Sequence, residues 1–193
     1  MISYPIDDHR LEVVEEKRIL GLIIRSDLKW SSNTKSIMAR AYSKLWIIRR
    51  LKYLGAEGQD LVDIFCKHVR SVLEFGAPVW HSGLTLTEKH DIERVQKSFC
   101  HIYLGGKYEC YHGALKQVGL ESLEKRREKL CLKFALSAEK SNKFKHWFKP
   151  SVKTSSTRLK PLKYAEVISN HARKDKSPLY YLTKLLNHHY KEK

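Results

Sequence analysis

Between Asp60 and Gly106 the apolar positions recur at the spacing of two helices joined by a short break. Leu61, Ile64, Phe65, His68, Val69, Val72 and Leu73 share one face at helical steps, which predicts an amphipathic helix. After His81-Ser82-Gly83, the run Thr85-Leu86-Thr87-Glu88 has the form of a capping box, in which Thr85 and Glu88 satisfy each other's free backbone donors. Ile92, Val95, Phe99 and Ile102 carry the second stripe to Gly105-Gly106, where glycine ends the helix. Two such helices pack antiparallel as a hairpin. This pair is the strongest core nucleus in the chain, a scaffold with no chemistry of its own.

Upstream, the pattern is β-like only as far as Ile24. Tyr4 to Ile6, Leu11 to Val14 and Ile19 to Ile24 are short apolar or β-branched runs, with Asp7-Asp8-His9 and Glu15-Glu16-Lys17 as turns between them. The last run is apolar on both faces, which predicts a buried strand, with Gly21 permitting a close backbone approach. So few short strands need something further to pack on, an expectation that the chain begins part-way through a domain. From Ser32 to Leu54 the period becomes helical, with Ser31 or Ser32 as N-cap and Gly55 as the stop. Ile37, Ala41, Leu45 and Ile48 form its inner stripe, and Trp46 and Tyr53 add aromatic surface.

Beyond the hairpin, Tyr108 to Val118 predicts a short helix stopped at Gly119. Ser122 caps a longer one over Leu123 to Lys140, with Leu123, Leu130, Phe134 and Ala138 inward and Lys125, Arg126, Arg127, Lys129 and Lys133 largely outward. Ser141 to Lys176 has no sustained period and reads as a basic linker, partly disordered, with Trp147-Phe148 as an anchor. Ser177-Pro178 starts a last helix, with Leu179, Leu182 and Leu186 on one face. The expected fold class is mainly α, a helical bundle with a small N-terminal β element.

Charge changes this picture most. Thirty-seven Lys and Arg against twenty-one Asp and Glu give a net charge of +16 over 193 residues. Such an excess speaks of partners rather than fold, and the default polyanion is nucleic acid. Between Glu139 and Glu166 there is no acid at all. No apolar run approaches the roughly 20 residues of a bilayer span, so no membrane partner is expected. The start, MISYPIDDHR, lacks the basic and apolar regions of a secretory signal. An intracellular setting follows, nuclear or cytoplasmic, in which Cys66, Cys100, Cys110 and Cys131 are reduced thiols.

Self-contained chemistry is hard to find. Asp7-Asp8 has the look of a two-metal carboxylate pair, but nothing supplies a third ligand, and it reads as a turn. Cys100-His101 and Cys110-Tyr111-His112 raise zinc, yet their spacing fits neither a ribbon nor a finger. Gly105-Gly106-Lys107 lacks the remaining residues of a phosphate loop, and no Ser or Cys stands in a nucleophile elbow. No catalytic residue, metal site or cofactor is expected. Better candidates are the cations of the 32–54 helix, Arg40, Lys44, Arg49, Arg50 and Lys52, and those that open the 123–140 helix, Lys125, Arg126 and Arg127. With aromatics between them, these suit phosphate contact.

Arg18-Ile19-Leu20-Gly21-Leu22-Ile23-Ile24, followed by Asp27-Leu28-Lys29-Trp30, resembles a segment of the reverse transcriptases of non-LTR (LINE-type, jockey-like) retrotransposons. The likeness continues in order through Ala41-Tyr42-Ser43-Lys44-Leu45, Arg49-Arg50-Leu51 and Val72-Leu73-Glu74-Phe75-Gly76-Ala77-Pro78-Val79-Trp80. It goes on through Ile92-Glu93-Arg94-Val95-Gln96-Lys97 and Leu123-Glu124-Lys125-Arg126-Arg127 to Leu185-Leu186-Asn187. Single pieces are weak, whereas the ordered set is specific and covers nearly the whole chain.

The resemblance implies an end-of-palm β element at 1–30, a thumb-like helical bundle at 31–106, post-thumb helices at 107–140, a basic linker at 141–176 and a C-terminal helix at 177–193. Leu20, Gly21 and Leu22 then stand in the place of the primer grip, the strand near the primer end. The family's catalytic carboxylates lie on an aromatic-x-Asp-Asp turn well upstream, and its Mg²⁺ belongs to them. Asp7-Asp8 departs from that motif, because Pro5 stands where the aromatic belongs. The implied parent activity is RNA-directed DNA polymerisation; lacking the catalytic palm, this chain alone is expected to be inactive, with the palm and fingers of a longer chain as its complement. Its partners would be an RNA–DNA or RNA template–primer. The alternative expectation is a non-enzymatic helical interaction module or a decayed remnant.

Overall fold

The computed structural model describes residues 5–6, 9–10, 13–151, 162–166 and 176–192. Helices make up most of it, and the described strands form two small antiparallel hairpins at the start. The fold class is therefore mainly α, a helical bundle with a small N-terminal β element. In the first hairpin, β1 (Pro5–Ile6) pairs with β2 (His9–Arg10). Asp7-Asp8, Tyr4 and Leu11 lie outside the described residues. Val13 and Val14, expected in a strand, belong to none and are exposed.

The second hairpin corrects the single buried strand expected over 19–24. β3 (Glu16–Ile19) and β4 (Leu22–Arg25) pair antiparallel with Ile19 opposite Leu22, so the apolar run folds back on itself at Leu20-Gly21. Both turn residues have positive φ, 47° at Leu20 and 88° at Gly21. Such a two-residue turn matches the twist of the strands it joins. Glu16 and Lys17, expected in a turn, lie within β3. Only Leu22 of the hairpin reaches the core.

α1 (Ser31–Tyr53) buries Ile37, Ala41, Leu45 and Ile48, as its period predicts. Its N-cap is Trp30, with no side-chain cap, rather than Ser31 or Ser32. The side chains available for capping are turned elsewhere. Ser32 Oγ accepts from the Arg25 guanidinium at 3.3 Å, and Asn33 Oδ1 accepts from the Ile23 backbone N–H at 3.2 Å, so this turn tethers β4.

The helix expected after Asp60 is in pieces. α2 (Gln59–Ile64) runs into a π-helical segment over Phe65–Arg70, then α3 (Ser71–Glu74), a break at Phe75-Gly76, and α4 (Ala77–Trp80). Leu61, Phe65, Val69 and Leu73 are buried at uniform steps of four. In an α-helix each such step overruns the turn by about 40°, and the wider π turn takes up that overrun. The same widening leaves His68, expected inward, exposed. At the break Gly76 is left-handed (φ 66°), Pro78 sits in the first turn of α4, and the buried Trp80 closes the loop by donating its indole N–H to Phe75 O at 2.8 Å.

α5 (Leu86–Leu104) starts at the expected capping box, with Thr85 and Glu88 bonded reciprocally, and ends at Gly105. The rings of Phe65 and Phe99 stack at 4.1 Å across the hairpin. α6 (Tyr111–Val118) begins three residues later than expected, with Cys110 Sγ as its cap, and stops at Gly119. α7 (Leu123–Lys140) is capped by Ser122 as expected. Glu93 on α5 adds to that cap by accepting from the backbone N–H groups of Leu123 and Glu124 and from the Tyr111 hydroxyl, which ties α5, α6 and α7 together. The face that α7 buries matches the expected one only at Leu123 and Ala138. It is Leu123, Arg127, Cys131, Ala135 and Ala138, while Phe134 is exposed.

A second, smaller core forms around Cys131, Ala135, Phe148, Tyr164, Leu182 and Leu186, closed by α8 (Pro178–Lys191). Part of the supposed linker is thus ordered: Phe148 is buried, Pro150 bridges to Tyr164, and Asn187 bonds both backbone groups of Tyr164. Glu139 pins this corner by accepting from Lys163, Tyr164 and Tyr190. Burial opposes its ionisation, but those three donors outweigh it and hold its carboxyl below the ordinary range. The linker cations Lys153, Arg158 and Lys160 lie outside the described residues.

Candidate nucleic-acid interface

α1 carries six cations, Lys35, Arg40, Lys44, Arg49, Arg50 and Lys52, and no acid. The structure does not bring them to one surface. Arg40 and Arg49 are nine residues apart, about two and a half turns, and so face opposite sides. Arg40 and Lys44 follow Asn33 along the flank nearest the β3–β4 hairpin, at helical spacing from the residue that holds β4. Arg49 lies on the flank that meets α5. Arg50 reaches over the Tyr53 ring at 5.5 Å. Lys52 is engaged: its Nζ donates to the carbonyls of Ile102 and, at 2.7 Å, Tyr103, which are left free at the end of α5. Its role is to close a helix rather than to hold a phosphate.

The basic face expected on α7 is open at Lys125, Lys129 and Lys133, which are exposed, but not at Arg126 and Arg127. Lys125 is exposed and unpaired among the described residues. Arg126 is held by Glu74 through two hydrogen bonds, 2.6 and 3.2 Å, and Arg70 flanks the same carboxylate at 3.6 Å. Arg127 corrects the expectation outright, being 0% exposed. Its Nε donates to His81 Nδ1, its guanidinium stands 5.8 Å over the Trp80 ring, and both terminal nitrogens lack a hydrogen-bond partner. Burial lowers its basicity, and burial together with the nearby Arg127 charge pushes the His81 imidazole down to about 4. A group so enclosed cannot reach a nucleic acid.

Leu20 and Gly21 form the hairpin tip instead of a strand, and Leu22 opens β4. Leu20 points out, 91% exposed, while Gly21 approaches the Phe75 ring and Leu22 is buried against Gly76. The tip is therefore seated on the break between α3 and α4 and tied to α1 through Ile23 and Asn33.

Compared with known proteins, the chain matches no family model, no curated protein and no solved structure.

One feature of this surface escaped the sequence reading. The C-terminal ends of α1 and α5 enclose an open cleft of about 570 Å³, lined by Arg49, Lys52, Tyr53, Ser98, His101 and Ile102. Ser98 and His101 are three residues apart on α5, a spacing that places them together, but nothing in the sequence says that α1 lies alongside. Tyr108 stacks on His101 at 3.5 Å. As for metals, no three ligating side chains converge among the described residues. Cys100 is buried, with its thiol pushed up to about 11 by burial, whereas Cys110 and His112 are exposed. No described helix is long and apolar enough to cross a membrane.

Proposed function

We propose that the chain is the thumb and post-thumb part of a non-LTR retrotransposon reverse transcriptase, which grips a primer–template through its sugar–phosphate backbone. The ordered residue likeness motivates this reading, and one observation carries it. The Asn33–Ile23 hydrogen bond fixes the β3–β4 tip to the same flank of α1 that presents Arg40 and Lys44. A duplex lying along that flank would meet the tip, then two cations that make no ion pair among the described residues, with exposed Lys17 and Arg18 on β3 beside it. Contacts to phosphates alone are indifferent to sequence, which a polymerase requires of its grip. Catalysis would come from palm carboxylates elsewhere in such an enzyme.

A second reading, a helical protein-interaction module, is favoured by the apolar rim of the hairpin. Ile19, Leu20, Phe75 and Val79 are exposed around the tip, and clusters of exposed apolar side chains mark interaction sites. In the polymerase reading this rim is where a palm would rest.

Fluorescence anisotropy with a labelled RNA–DNA hybrid tests the proposal. If about four phosphates are engaged, raising salt from roughly 50 to 200 mM weakens binding about 150-fold, and Arg40→Ala with Lys44→Ala flattens that dependence. Binding that ignores salt, or that survives both substitutions unchanged, refutes the grip. Size-exclusion chromatography and circular dichroism address the second reading: a monomer that stays cooperative and shows no hybrid affinity supports the interaction module.

A further inference from the structure

On the flank of α1 away from Arg40, Tyr42, Trp46, Arg49 and Tyr53 follow at steps of four, three and four, which places them on a single stripe. Lys35 continues it two turns earlier. The rings are far more open than a solvated helix face requires: Tyr42 is 39% exposed, Trp46 66% and Tyr53 79%. Neither Lys35 nor Arg49 makes an ion pair among the described residues, and α1 itself has no acid, but Glu88 and Asp91 of α5 line a pocket with Lys35 and Tyr42, which leaves Arg49 as the cation of the stripe away from carboxylates. The rings lie to one side of the core face of the helix, which buries Ile37, Ala41, Leu45 and Ile48.

We infer that this stripe, with the cleft at its end, binds single-stranded nucleic acid, bases stacking on Tyr42, Trp46 and Tyr53 and the backbone phosphate pairing with Arg49. The inference rests on the reading of the chain as a nucleic-acid binder and adds to it a second track, distinct from the duplex grip. Rings projecting from a helix cannot reach base faces inside a duplex, whereas every unpaired base offers one. Tyr42 to Tyr53 spans about 16 Å along the helix. Three rings over that length hold bases further apart than the roughly 3.4 Å rise of a stacked strand, so each base splays onto its own ring. Arg50 backs one face of Tyr53 at 5.5 Å and leaves the other for the base. At about 570 Å³ the cleft beyond Tyr53 has room for a nucleotide, and Ser98 and His101 supply polar groups to its edges. An acidic peptide would answer the cations but would not present flat π faces to three separate rings. A lipid surface would engage Ile47 and Leu54, which are also exposed on and at the end of this helix, and vesicle binding distinguishes it.

Anisotropy titrations of the full chain with a twelve-nucleotide single-stranded RNA, the same sequence as DNA, an abasic strand of equal length and an RNA–DNA hybrid decide the matter. Trp46→Ala and Tyr53→Ala should each weaken both base-bearing single strands by about tenfold, and the abasic strand should bind the unaltered protein correspondingly less well. Trp46→Phe should restore most of the affinity, which loss of folding would not permit, and circular dichroism should be unchanged. Equal affinity for base-bearing and abasic strands, or indifference to Trp46→Ala, overturns the inference. So does binding to anionic phosphatidylserine vesicles that depends on Trp46 and that the oligonucleotides fail to displace. Hybrid binding that needs Arg40 and Lys44 but not Trp46 would leave the grip standing while the stripe fails. The reverse pattern would separate them the other way.

Discussion

Nε of Arg127 donates to Nδ1 of His81 across 3.4 Å, where α7 packs on the turn after α4. An accepting Nδ1 leaves the ring proton on Nε2, so the imidazole is neutral. The groups around it are Arg127, Lys89 and Glu124, with the edge of Tyr181 at 5.5 Å. In the unfolded chain the same imidazole takes up a proton near its ordinary 6.5, but in the fold not until about 4. Between those values the unfolded state binds more protons, so stability falls as the pH drops. The contribution is fully present above about 6.5 and is lost by about 4, amounting to about 3 kcal/mol. Denaturant melts from pH 7 to pH 4 should show this slope. His81→Gln, whose amide oxygen can still accept from Arg127, should remove most of it.

Arg127 itself gives a second prediction. A buried charge with one weak hydrogen bond costs more in lost hydration than it recovers. Arg127→Met keeps the stem that packs on Trp80 and removes that charge, so stability should stay level or rise by about 1–4 kcal/mol. Hybrid affinity should not change. By contrast, Arg126→Ala strips Glu74 of its two-point partner, and denaturant unfolding should show a loss of about 1–3 kcal/mol. A marked fall in stability for Arg127→Met would mean that the guanidinium has a partner.

How far the sequence discloses this arrangement depends on what each signal encodes. The α1 stripe, the Thr85–Glu88 box and the Ser122 cap are local, each decided within one turn, and each appears where the pattern puts it. α7 shows the limit. Ranking by hydrophobicity selects Leu130 and Phe134, whereas the buried seam through Arg127, Cys131 and Ala135 is rotated from theirs by about 80°. Small residues were needed on that side so that α8 could come close, and only the partner helix reveals this. The Leu20-Gly21 turn was hidden for a related reason, since a run apolar throughout gives no alternation to mark a reversal. The candidate surface splits likewise. Arg40, Lys44 and Arg49 make no ion pair among the described residues, while Lys52, Arg126 and Arg127 are claimed by carbonyls, a carboxylate and the core, partners distant in sequence.

Gly83 and Trp30 provide a steric test. A Cβ on Gly83 would stand 2.5 Å from the Trp30 indole, at Cδ1 and Nε1. That is too close for any side chain unless the ring moves, and the ring begins α1 beside the β4 tether. Gly83→Ala should therefore cost about 1–3 kcal/mol, read by thermal melting. Trp30→Leu combined with it should recover part of the loss, because the smaller side chain vacates the contested volume.

Lys52 and Arg49 stand three residues apart at the edge of one cleft, yet the structure gives them different work. The Lys52 ammonium closes α5 through two carbonyls, and hydrogen bonds to charged groups contribute about 1.5–3 kcal/mol when shielded. Both partners are partly wet here, so Lys52→Met should cost about 1–2 kcal/mol in urea melts. Arg49 bonds to nothing among the described residues, and Arg49→Met should shift stability by no more than about 0.5 kcal/mol. In oligonucleotide binding the order reverses. Losing one phosphate contact at Arg49 should reduce the salt slope by about 0.7 for a single strand, whereas Lys52→Met should leave that slope alone. A slope that falls for Lys52→Met and holds for Arg49→Met would exchange their roles, and with them the position of the strand on α1.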